Sequence, residues 1–138
     1  MSTAIDQAVM AKLRGDTSLA SLAPGGIYPD VAPKGAADAG VFVVVGMQAH
    51  EDVAQLQGQT AYETPRYLVK AVGQGIDGAA AIAAYDRIHV LLQHQALTVT
   101  GFHWMDTVRE SRVRYVEQDG PISWQHVGGV YRVEADPS

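Results

Sequence analysis

Apolar positions recur along this chain in two periods. Near the N-terminus Ile5, Val9 and Leu13 fall at helical spacing, with Ala8 beside them, after Thr3 as a capping residue and with Asp6 three positions on. This predicts a helix that stops near Gly15, with one face packed on a sheet. A loop is expected next, in LASLAPGGIYPDVAPKGAADAG, with one short extended piece around Ile27 and Tyr28. Tyr28 and Ala32 each precede a proline, which biases both to extended backbone and makes IYPDVAP stiff.

Val41 to Met47 (VFVVVGM) is apolar at nearly every position, as expected of a central strand covered on both faces. Gln48 to Thr64 turns polar and shows neither period, so it reads as a long loop or an extended hairpin arm. It is expected to be the most mobile internal segment. In RYLVKAVG, Tyr67, Val69 and Ala71 share one strand face, and Arg66 and Lys70 lie on the other. A second helix is predicted from a cap at Asp77 to about Gln95. Its inward stripe is Ala81, Tyr85, Ile88 and Leu92, while Asp86, Arg87 and Gln93 face water. From Leu97 to Glu134 the pattern predicts three strands in series, the last two joined as a hairpin by Asp119 and Gly120. Two helices on a mainly antiparallel, mixed sheet with a long arm make an α+β fold. At 138 residues the chain is expected to form one domain.

Composition narrows the function. The chain has no cysteine, which removes disulfides and thiolate metal sites. MSTAIDQAVMAKLRG lacks the basic start and apolar run of a secretory signal. No segment approaches the roughly 20 apolar residues of a membrane span. A formal net charge of -5 argues against gripping a phosphate backbone, though not against DNA passing nearby.

Candidate chemistry is thin. His89 and His94 are five apart, not the three or four that place ligands on one helix face. On a regular strand His103 and Asp106 point to opposite faces, so no acid–base pair is expected there. The glycines do not follow the spacings that cradle phosphates; Gly128 and Gly129 suggest a bulge or a close backbone approach. No catalytic residue, metal or cofactor is therefore expected. On the last strands Arg112 and Arg114 are expected to share a face with Glu110, and Arg132 with Glu134. Val113, Tyr115, Tyr131 and Val133 are expected to seat the sheet on its helices. Mixed charge on a sheet face suits either solvent or a contact that sets register with a neighbour.

Several segments occur in a telling order: the N-terminal helix with its short loop, GGIYPDVAPKGA, the Ala-rich helix ending LLQHQALTV, and RESRVRYVEQDG with HVGGVYRVEA. Together they resemble the tail-completion or tail-terminator proteins of long-tailed bacteriophages, prophages and related particles. The resemblance covers nearly the whole chain except Gln48 to Thr64. It implies a structural virion protein, made in the host cytoplasm, forming a ring of typically six subunits at the tail–neck junction. The ring would cap the tail tube, stop its growth and meet the neck or head-completion protein. DNA would pass through its lumen unheld, without cofactor or membrane. Under that resemblance Glu51, Asp52, Glu63, Arg112, Arg114, Arg132 and Glu134 become candidate contacts to subunits or tube. Two other readings are another neck component, such as a head-completion protein, and a dimeric α+β ligand-binding domain with a pocket near His103 and Trp104.

Overall fold

The computed structural model describes residues 3–49, 52–54, 60–75 and 78–137. The Asp77 cap, Glu51 and much of the polar 48–64 stretch lie outside the described residues. Three helices, α1 (Thr3–Arg14), α2 (Thr17–Leu22) and α3 (Gly78–Leu92), pack with one mixed sheet, giving an α+β fold. The strands are β1 (Ile27–Pro29), β2 (Phe42–Ala49), β3 (Asp52–Ala54), β4 (Thr60–Glu63), β5 (Arg66–Gln74), β6 (Phe102–Asp119) and β7 (Ile122–Pro137). Their order is β1-β2-β5-β7-β4-β3, with β6 on the other side of β7. Among the described strands only β1 and β2 pair in parallel.

The core forms where the helix stripes meet one sheet face. Ile5, Val9 and Leu13 of α1 and Ala81, Tyr85, Ile88 and Leu92 of α3 are buried together with Val43, Val45, Tyr67, Val69, Ala71, Tyr131 and Val133. Alternation along each strand leaves the opposite face without a helix layer. Hence β2 is not covered on both sides: Val43 and Val45 are buried, while Phe42 and Val44 remain half-buried on the outer face. Nor is it central, since only β1 lies beyond it.

The expected loop after Gly15 contains α2. Asp16 caps it by accepting from the Leu19 N–H at 2.8 Å, and Leu19 is fully buried. The same carboxylate takes two bonds from Arg87 of α3, each 2.8 Å, so Arg87 does not simply face water. α3 ends at Leu92 rather than near Gln95, and His94 adopts a left-handed φ of 55°.

The three expected C-terminal strands are two. β6 runs unbroken for 18 residues against the 16 of β7, and the Arg109–Ser111 junction is a bulge rather than a turn. Asp119 pairs with Ile122, leaving Gly120 and Pro121 as the turn, with Gly120 at φ 59°. The polar arm is partly a hairpin: β3 pairs with β4, and Glu63 of β4 meets Ala135 of β7.

Candidate interaction surface

The long hairpin is anchored at the double glycine. A Cβ on Gly128 would lie on the Val69 carbonyl and within 2.6 Å of Lys70 Cβ, so glycine lets β5 and β7 approach closely. A Cβ on Gly129 would strike the Tyr85 hydroxyl. That hydroxyl belongs to a buried polar chain under α3. Arg109 Nη1 donates to Tyr85 Oη at 3.2 Å, the two tyrosine hydroxyls are 2.8 Å apart, and Tyr131 Oη lies 2.8 Å from His89 Nδ1. The arginine can only donate, so one consistent direction runs Arg109 to Tyr85 to Tyr131 to an accepting, neutral His89. Burial, with Arg109 and Arg112 nearby, lowers the His89 pKa and favours that neutral form. The chain joins α3 to β6 and β7.

The outer sheet face divides into two ends. At one end Glu110 accepts from Arg66 Nε and Arg132 Nη1, both at 2.6 Å, and Arg132 Nε donates to Glu134 at 2.8 Å. Burial pushes the Glu110 carboxyl up, but the two guanidiniums outweigh it and hold it below the ordinary value. At the other end Tyr115 stacks on His126 at 4.4 Å, and Lys70 donates to the Tyr115 hydroxyl at 2.9 Å. His126 lies 3.0 Å from a Glu117 carboxylate oxygen through Nε2, while its buried Nδ1 has no partner among the described residues. Burial and Lys70 lower its pKa against the opposing pull of Glu117. Beside it Phe42, Val44, Val72 and Trp124 line a shallow cavity of about 280 Å³.

The bulge between Arg109 and Ser111 redistributes the expected contact residues. Arg112 pairs with Gly129 and Arg114 with Val127, so both lie on the helix face of the sheet. Glu110 instead reaches Arg66 and Arg132 on the outer face. Arg112 and Arg114 therefore do not share a face with Glu110, nor with Arg132 and Glu134. Val113 and Tyr115 move to the outer face and do not seat the sheet on its helices, as Tyr131 and Val133 do. Glu63 is buried at the base of the arm. Asp52 is placed on β3 as a backbone position, and Glu51 falls outside the described residues.

A second bulge, between Trp104 and Asp106, puts His103 and Asp106 on one face rather than two. They still make no pair: His103 is exposed, and Asp106 bonds His94 at 2.9 Å. Trp104 turns its indole N–H to the Thr107 hydroxyl at 3.0 Å. Sequence reasoning missed the Arg66–Glu110–Arg132 group because it depends on that one-residue bulge, for which the strand carries no glycine or proline signal.

The chain matches no protein-family model and no curated protein, whereas solved structures share its fold. One is a chain from the virion of a native gene transfer agent particle, at 21% identity and a TM-score of 0.76, covering 96% of each chain. A second solved chain matches at 15% identity and a TM-score of 0.63, covering 100% of this chain and 99% of its own length. Both likenesses extend over nearly the whole length of each chain.

Proposed function

We propose that the chain is a structural virion protein, and within that class a tail terminator. It forms a ring on the last ring of the tail tube, stops tube growth and joins the tail to the neck. The observation that carries this reading is the end-to-end likeness to a chain of a gene transfer agent virion. The ordered sequence resemblance points to the same kind of particle. Its side chains are spent on tying elements together: the Tyr85–Tyr131–His89 chain lies under a helix, and Glu110 is held by two arginines. The net charge of -5 suits a lumen through which DNA passes without being held. Arg112, Arg114 and the acidic arm residues Glu51 and Asp52 serve contacts with subunits, tube or neck, while Arg132 and Glu134, paired with each other, and Glu63, buried at the base of the arm, support those contacts from within the fold.

Deletion of the gene tests this directly. Electron microscopy should then show full heads unjoined to tails, and tails of irregular length. Normal particles from the deletion strain would exclude the role. The gene transfer agent likeness names a particle and not a position in it, so a head-completion role in the same kind of particle is the second reading. Cryo-electron microscopy of an intact neck, showing which ring the chain occupies, separates the two.

A further inference from the structure

The sheet has three terminal strands, β1, β3 and β6. An unpaired edge is a row of N–H and C=O groups open to another strand. β1 is blunted. It is three residues long and ends in Pro29, and its Ile27 carbonyl accepts from Arg14 at 3.1 and 2.7 Å. β6 is closed along its first half only. There the His94 N–H donates to the Thr107 carbonyl, and the Arg109 N–H donates to the Gln93 side chain, both at 2.8 Å.

Past the Glu110 bulge the edge is open. In an antiparallel pair, side-chain face and hydrogen-bond direction alternate together. Arg112, Arg114, Val116 and Gln118 share the face of Thr107 and Arg109, so their N–H and C=O groups also point away from β7. Among the described strands only β7 pairs with β6. The stretch is exposed, Val116 to 59%, and contains no proline. A long regular edge of this kind is an association site unless something covers it.

The remaining edge, β3, has the matching properties in a second copy. It pairs only with β4 among the described strands. Residues 48–64 contain Glu51, Asp52 and a buried Glu63 and no lysine or arginine, whereas the open part of β6 presents Arg112 and Arg114 against one carboxylate, Glu117, which is turned to the outer face towards His126. The two edges also lie towards opposite ends of β7. The arm meets Ala135 and Arg114 stands opposite Val127, eight residues away, a span of ~27 Å. Joining unlike edges at opposite ends is a heterologous contact, the kind that closes into rings. We propose that β3 of one copy adds to the open edge of β6, residues 112–118, of the next copy, so that the ring is joined through a shared sheet. This deepens the ring reading above and rests on it.

The absence of native cysteine allows a direct test. Asp52→Cys is combined in turn with Arg112→Cys, Arg114→Cys or Val116→Cys, covering neighbouring registers, in the full-length chain. Particles are oxidised and run on non-reducing gels. At least one pair should give a covalent ladder beyond dimer, and the single-cysteine chains should not. In parallel, Val116→Pro removes an outward N–H without breaking the pairing with β7. It should lose incorporation while circular dichroism shows a folded chain, and Val116→Ala should incorporate normally. If wild-type rings form but no pair cross-links, and Val116→Pro incorporates normally, this inference is wrong and the ring reading stands. If neck reconstructions show no ring of this chain, both fall.

Discussion

Replacing Gly129 with alanine would set a methyl group on the Tyr85 hydroxyl, with Arg109 Cδ and the Ser111 carbonyl each 3.0 Å away. Gly129 has no left-handed φ, so the cost is steric rather than conformational. Overpacking of this kind costs about 1–3 kcal/mol. Gly129→Ala should lower the urea midpoint accordingly, and should cost less in a Tyr85→Phe background, where the clashing oxygen is gone. Equal costs in both backgrounds would show that Tyr85 is not the obstacle. Two histidines set a pH dependence at the same scale. Burial holds His126 and His89 below their ordinary pKa of 6.5. The unfolded chain regains the ordinary value, so it binds more protons in the window below 6.5. Their contribution is therefore complete above that pH and is lost as pH falls through the window. Urea midpoints should drop between pH 7.5 and 5.5, and His126→Phe or His89→Phe should flatten part of that slope.

At the scale of elements, Asp16 joins two helices with one carboxylate. It caps α2 through the Leu19 N–H and pairs with Arg87 of α3. The Arg87 guanidinium, opposed by burial and helped by the cap, holds the Asp16 pKa at about 2 against an ordinary 3.8. That contribution is present above 3.8 and is lost as pH falls towards 2. Asp16→Ala removes cap and pair together, and cap loss alone costs about 0.5–2 kcal/mol. Asp16→Asn keeps the cap and should be the milder change in denaturant titrations; equal costs for the two variants would mean that the ion pair dominates. The Asp16–Arg87 partnership was not visible in the pattern of the chain, because it spans 71 positions. What the pattern did carry was local. Helical spacing of Ile5, Val9 and Leu13, and of Ala81, Tyr85, Ile88 and Leu92, marks the buried stripes, and strand alternation of Tyr67, Val69 and Ala71 marks the core face of β5. Bulges defeat such reading, since one extra residue inverts every side chain beyond it. The placement of Glu110, Arg112, Arg114, Val113 and Tyr115 was misread for that reason alone.

For the whole molecule, the two bulges and the double glycine produce a sheet with different work on its two sides. One side is covered by helices except at the end of the long hairpin, where Arg112 and Arg114 stay exposed; the other carries an ion-paired end and an aromatic end. Charged residues on the two faces should consequently respond differently to reversal. Arg132 sits between Glu110 and Glu134, with nitrogens 2.6 and 2.8 Å from them. Arg132→Glu would place three carboxylates together and should destabilise the isolated chain as well as any assembly. Arg112 and Arg114 are exposed, and surface changes of this kind usually stay within about 0.5 kcal/mol. Arg112→Glu with Arg114→Glu should therefore leave the thermal melt of the isolated chain nearly unchanged while reducing its incorporation into particles. Pairing these changes with Asp52→Lys in a second, separately tagged chain tests the charge argument. Co-expression should recover incorporation that neither variant shows alone, because each acidic edge then meets a basic arm and each basic edge an acidic one. Normal incorporation of the double arginine variant by itself would remove these residues from the subunit contact, whatever ring the protein forms.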